Sequence, residues 1–161
     1  MLRTDRFLLG IVVGAVALVV VAFAVVLTRP KPAYQPDDTP AGVAFNYLLA
    51  LQREDYPRAY GYLWPGLKGY PASADDFALD VRQRRGSFRS DAATIQIERT
   101  EVRGDQAFVE VRETSFQADG LFSSGQSTWV FSMTLRRTAD GWKIAASGSY
   151  WSWCWDQAGG C

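Results

Sequence analysis

"TIQIERTEVRGDQAFVEVRETSFQ", residues 94–117, sets the fold class. Two strand-like runs meet at Gly104-Asp105, a hairpin signal. Downstream the pattern repeats. "QSTWVFSMTLRRT", 126–138, and "GWKIAASGSYWSW", 141–153, are joined through Ala139-Asp140-Gly141. Asp-Gly between alternating runs is a strong cue for a tight hairpin. Trp129, Phe131, Met133 and Leu135 share one face of the third strand by period-two alternation. Upstream the period changes to that of helices. Thr39 can cap a helix with Pro40 at its first position, and Val43, Tyr47, Leu48 and Leu51 follow at helical spacing. Asp55 can cap a second, short helix that Trp64-Pro65-Gly66 breaks. Ser73-x-x-Asp76 makes a capping-box pattern for a third, which carries Phe77 and Val81 and stops at Gly86. Three helices followed by four long strands predict an α+β domain, a curved antiparallel sheet packed against about three helices.

The N-terminal part is different. "FLLGIVVGAVALVVVAFAVVL", residues 7–27, holds no charge and no strongly polar side chain. At about 1.5 Å per residue such a helix covers roughly 30 Å, the hydrocarbon thickness of a bilayer. Ala22-Phe23-Ala24 resembles a signal-peptide cleavage site, but the apolar run continues through Val25-Val26-Leu27, which favours an uncleaved signal anchor. Arg3 and Arg6 before the span balance Arg29 and Lys31 after it. A short N-terminal tail most simply stays in the cytoplasm, and the cysteine pair favours an oxidising outside. The expected organisation is therefore a cytoplasmic tail (1–6), a transmembrane helix (7–27), a proline-rich stalk (28–39) and an extracytoplasmic domain (40–161), single-pass in the plasma membrane. Gly10 and Gly14 form a G-x-x-x-G pair that would let two such helices approach closely in a homodimer.

Composition narrows the chemistry. The chain has 161 residues, 17 basic and 17 acidic, with no histidine and two cysteines. Charge balance argues against nucleic acid as a partner. The missing histidine excludes His-based general-base catalysis and His-ligated metal sites, and two cysteines cannot build a four-thiolate zinc site. No catalytic residue, metal site or cofactor is assigned.

"AGVAFNYLLALQREDYPRAYGYLWP", with the hairpins "VRGDQAFVEV" and "TADGWKI", resembles the nuclear transport factor 2-like superfamily over roughly Thr39 to Trp151. That resemblance implies a bent sheet forming a cone with a cavity against the helices. It also implies a role as an uncharacterised envelope domain, a small-ligand binder or a ketosteroid isomerase-like enzyme. No acid of this chain matches a catalytic position of those enzymes residue by residue.

Four candidate surfaces remain. Tyr60, Trp64, Phe77, Trp129 and Phe131 read either as plain core or as an apolar pocket for a small ligand. Asp75, Asp76 and Asp80 read as solvated acids at a helix N-terminus. Arg82, Arg84, Arg85 and Arg89 read as cations at its C-terminus, or as a contact for anionic lipid or wall polymer. Trp151, Trp153 and Trp155 alternate beyond the last strand. A register shift at Gly148 would bring them into the core; without it they stripe an outer face as an interface. Cys154 and Cys161 are spaced to close a disulfide that pins the C-terminus, the tail extending the last strand. The function expected is a membrane-tethered, non-catalytic binding or assembly domain at the cell envelope, contacting the bilayer through residues 7–27 and an envelope protein through its domain. The alternative is a small-ligand-binding or isomerase-like domain that uses the cone.

Overall fold

The computed structural model describes residues 6–28, 32–83, 88, 93–118 and 124–160. It divides into two units, Met1–Ala33 and Tyr34–Cys161. The first holds helix α1, Arg6–Thr28, 23 residues long. This helix covers residues 7–27, expected to span a membrane, and shows them as a helix without showing a span. Its described side chains run from Leu9 to Val25, with Thr28 beyond. Among the described residues no helix is long and apolar enough to cross a membrane.

The second unit contains α2 (Pro40–Gln52), α3 (Tyr56–Gly61), α4 (Ala74–Gln83), β1 (Thr94–Arg103), β2 (Gln106–Ala118), β3 (Ser124–Thr138) and β4 (Gly141–Ser147). The strands form one antiparallel sheet in sequence order, as consecutive hairpins require. The caps follow the sequence. Thr39 accepts from the Gly42 N–H at 3.0 Å, and Asp55 from the Arg58 N–H at 3.3 Å. Ser73 and Asp76 exchange hydrogen bonds as a capping box. Asp80 is not a solvated acid. It accepts the Trp155 indole N–H at 2.9 Å. Of the basic run, Arg84, Arg85 and Arg89 lie outside the described residues, as does Gly86.

One face of the sheet is covered by helices. Ala107, Val109 and Val111 of β2 and Phe131, Met133 and Leu135 of β3 are buried there against Tyr47, Leu48 and Phe77. Tyr47 is fully buried, and its hydroxyl donates to the Tyr150 carbonyl at 2.8 Å. A short parallel bridge between Leu63 and Ile144 lays the segment after α3 along β4 and closes that edge of the sheet.

Two bulges bend the sheet. One falls in the β1–β2 pairing between Ile97 and Arg99. In the β3–β4 pairing, Leu135 faces Ile144 but Thr134 faces Ala146, so Ala145 is the extra residue. A bulge inverts side-chain parity beyond it. Trp142 and Ile144 point into the core, and Ser147, opposite Met133, then takes the inner side. The register shift expected at Gly148 is present three residues earlier.

The tail is not a continuation of β4. The strand stops at Ser147, where the Ser147 hydroxyl donates to the Ser149 carbonyl at 2.6 Å. Tyr150 takes a left-handed φ of 56°, and Trp153–Asp156 form a 3₁₀ turn. A period near three replaces a period of two, so the alternating tryptophans separate.

The proline-rich stalk is shorter than its composition suggests. Residues 34–38 pack on the domain. Asn46, completely buried on α2, accepts from the Gln35 N–H at 2.7 Å. It donates to the Gln35 carbonyl at 2.7 Å and to Asp37 at 2.5 Å. Asp37 also accepts from Tyr62 at 2.9 Å, and the Arg58 guanidinium lies 3.6 Å from the centre of the Tyr34 ring. Asparagine offers both a donor and an acceptor, so one buried side chain can hold an extended backbone much as a strand would.

Burial pushes the hydroxyls of Tyr47, Tyr62 and Tyr70 above the ordinary tyrosine range, aided at Tyr62 by Asp37 and at Tyr70 by Tyr60. A raised folded-state value means the folded chain keeps protons that the unfolded chain releases above about pH 10. Stability is therefore complete below that pH and is lost as pH rises further. Denaturant midpoints measured from pH 8 to 11.5 should hold level to about pH 10 and then fall. Tyr47→Phe should flatten that fall.

Candidate functional site

The core fills only part of the inner sheet face. Along β2 the inward positions run Ala107, Val109, Val111 and then Glu113 and Ser115. Opposite them on β3, Phe131 pairs with Val111, Trp129 with Glu113 and Ser127 with Ser115. Past Phe131 none of α2, α3 or α4 supplies a described residue to the lining. The tail arches over them, and a pocket of about 520 Å³ opens between sheet and tail. Glu113, Ser115, Ser127 and Trp129 form its floor, and the run Ser147–Trp151, Trp153 and Asp156 its walls.

Glu113 is only 7% exposed, although it is charged and lines this pocket. Among the described residues no hydrogen bond or ion pair reaches its carboxylate, and no lysine or arginine lines the pocket. Its carboxylate is not among the buried polar atoms left without a partner, so it opens on the pocket rather than on apolar core and is free to meet whatever enters.

The walls are held by the tail's own packing. Trp155, completely buried, stacks on Phe77 with ring centres 5.2 Å apart. Trp151 stands edge-on to Trp155 at 5.0 Å, and its indole N–H donates to Asp156 at 3.0 Å. Gly69 lies directly beneath the tail, its N–H donating to the Trp155 carbonyl at 3.0 Å. A Cβ there would run into the carbonyl oxygens of Cys154 and Gln157, so only glycine fits.

The expected ladder therefore splits three ways. Trp155 is core, Trp151 is a half-buried wall, and Trp153 is 57% exposed at the rim. Of the expected pocket residues, the structure brings only Trp129 to the site. Phe131 lies just beneath, against Tyr150 at 5.9 Å. Tyr60 packs on Tyr70 and Phe77 between α3 and α4, and Trp64 lies under the Arg136 guanidinium. Tyr60 is drawn into the gap between α3 and α4, whereas Trp64 follows the segment laid along β4 and so lies at that edge of the sheet. Glu113, Ser115 and Ser127 join the site without being among the expected residues. The signal was there: a carboxylate on the inward phase of an otherwise apolar strand.

Cys154 is buried, its sulfur 2.9 Å from the Ser152 hydroxyl, and there is no free cysteine among the described residues. Cys161, the partner expected for it, lies outside them. Gly10 and Gly14 lie one turn apart on α1, and nothing in the described chain would obstruct a side chain at either.

No protein-family model matches the chain, and no curated protein matches it by sequence. Solved structures do. A protein from Thiobacillus denitrificans named for the calcium/calmodulin-dependent protein kinase type II association domain aligns at TM-score 0.51 and 15% identity, over 73% of this chain and 95% of its own. An NTF2-like protein from Shewanella oneidensis aligns at 0.46 and 14% identity, over 65% and 90%. A protein from Shewanella frigidimarina named for ketosteroid isomerase aligns at 0.49 and 22% identity, over 71% and 98%. The first shows a shared fold. At these identities the likeness speaks to fold alone.

Proposed function

We propose that this chain is a membrane-tethered, extracytoplasmic domain that binds a small ligand without catalysis. The observation that carries the reading is the pocket at the open end of the inner sheet face, with Glu113, unpaired among the described residues, on its floor. A domain serving only as scaffold gains nothing from opening that carboxylate on a pocket. A catalytic role has less support. Asp156, the second acid, is engaged by Trp151, and the chain has no histidine to relay a proton.

The tether rests on sequence: the uninterrupted apolar run of residues 7–27, realised as the helix Arg6–Thr28. In this reading the N-terminus is cytoplasmic, a Cys154–Cys161 disulfide forms outside, and the Gly10/Gly14 face is where a second copy would pack.

Both halves are open to test. The full chain should resist alkaline extraction from membranes, and a reporter active only in the cytoplasm should stay silent when fused to its C-terminus. Non-reduced protein from those membranes should show no alkylatable thiol by mass spectrometry. Reporter activity, or two labelled thiols, would overturn the topology. For binding, a small-molecule thermal-shift screen on the full chain in detergent should yield compounds that stabilise the wild type but not Trp129→Ala. A screen whose every hit acts equally on both would defeat the pocket.

A further inference from the structure

We infer that the pocket over β2 and β3 receives a small organic cation, an ammonium carrying alkyl groups. This rests on the ligand-binding reading above and narrows it to a ligand class. Three independent features converge. Glu113 is more than nine-tenths buried, lines the pocket and meets no cationic partner among the described residues. A cation bound there would supply the counter-charge that no described residue provides to a carboxylate opening on the pocket. Among the described residues the lining contains two acids, Glu113 and Asp156, and no basic side chain, which disfavours an anionic ligand.

The third feature is the wall. Trp129, Trp151 and Trp153 all line the pocket. Tryptophan faces attract cations best among the aromatics, and alkylated ammonium groups suit them because they are weakly hydrated and have no fixed hydrogen-bond geometry. Trp151 is set in place before any ligand arrives, by its bond to Asp156 and its edge contact with Trp155. A bare metal ion is a poorer match. Among the described residues no cluster of three carboxylate or thiol ligands exists, and indole rings offer it nothing. The volume of about 520 Å³ suits a ligand of a few tens of atoms at most.

The test uses the full chain in a neutral maltoside detergent, with choline chloride as probe. Its uncharged isostere, 3,3-dimethylbutan-1-ol, is the comparison, and sodium chloride holds ionic strength constant. Tryptophan fluorescence and thermal shift are the readouts. Choline should give a saturable response, with the isostere at least roughly tenfold weaker. Glu113→Gln, nearly the same shape, should weaken choline by about tenfold or more and leave the isostere where it was. Trp153→Ala, at the exposed rim, should weaken choline severalfold while lowering the melting temperature far less than Trp155→Ala does. If E113Q fails to fold, the wild-type comparison and Trp153→Ala still decide. Equal binding of choline and isostere, or full choline binding by E113Q, would overturn the cation and leave a neutral-ligand pocket standing. No saturable response to choline would also overturn it, and the thermal-shift screen would then judge the pocket separately.

Discussion

Trp155→Ala should cost about 4 kcal/mol, while Trp153→Ala two residues away should cost less than about 1 kcal/mol. The contrast follows from burial. Trp155 is completely enclosed by Phe77, Phe88 and Trp151, and its N–H satisfies Asp80. Truncation would leave a large cavity between α4 and the tail and strand a half-buried carboxylate. In a domain of this size the loss should lower the melting temperature by roughly 15 °C. Thermal melts of both variants, followed by near-ultraviolet circular dichroism, check the expectation. Equal effects would mean that the tail does not pack as described.

The second large effect is expected at Gly69→Ala. Its new methyl group would press on backbone oxygens of the tail, which cannot rotate away as a side chain can. Either the 3₁₀ turn lifts off or the 66–72 loop shifts, at a cost of about 2–3 kcal/mol. Trp151 and Trp153 belong to that tail, so the same change should also loosen the pocket wall and red-shift tryptophan emission. Gly61→Ala, where a Cβ meets nothing within 4 Å, is the control and should be neutral or slightly stabilising. Denaturant melts with fluorescence detection read both quantities at once.

Much of this architecture was legible in the chain itself. The caps at Thr39, Asp55 and Ser73 and the turn at Gly104-Asp105 are local chemistry, and each falls where its residues place it, whereas the second hairpin turns at Ala139-Asp140, one residue before the Asp-Gly cue, with Gly141 opening β4 at a positive φ. The site was less legible because it depends on one inserted residue. Ala145 carries no signal that distinguishes it from Ala146, yet it decides which side chains of 147–151 face inward. Likewise nothing in "YWSWCWDQ" reveals that Tyr150 turns left-handed and breaks the strand. Glu113 was readable only by carrying the phase of β2 past its apolar part. Asn46 was hidden because a buried amide inside an apolar helix is uninformative until its partner segment is known.

That partner segment has a mechanical meaning. In the tethered reading, every force between an anchor and the domain must pass along the chain ahead of α2. Such a load does not reach the first turn of α2 directly. It meets the ring of Tyr34 clasped by Arg58 first, and then Asn46 with its bonds to Gln35 and Asp37. These contacts follow one another along residues 34–37, so each must give before the next is loaded. The cap at Thr39 and the core behind it are thereby shielded from tension. The length of chain that can yield before the domain is strained is set by one buried asparagine.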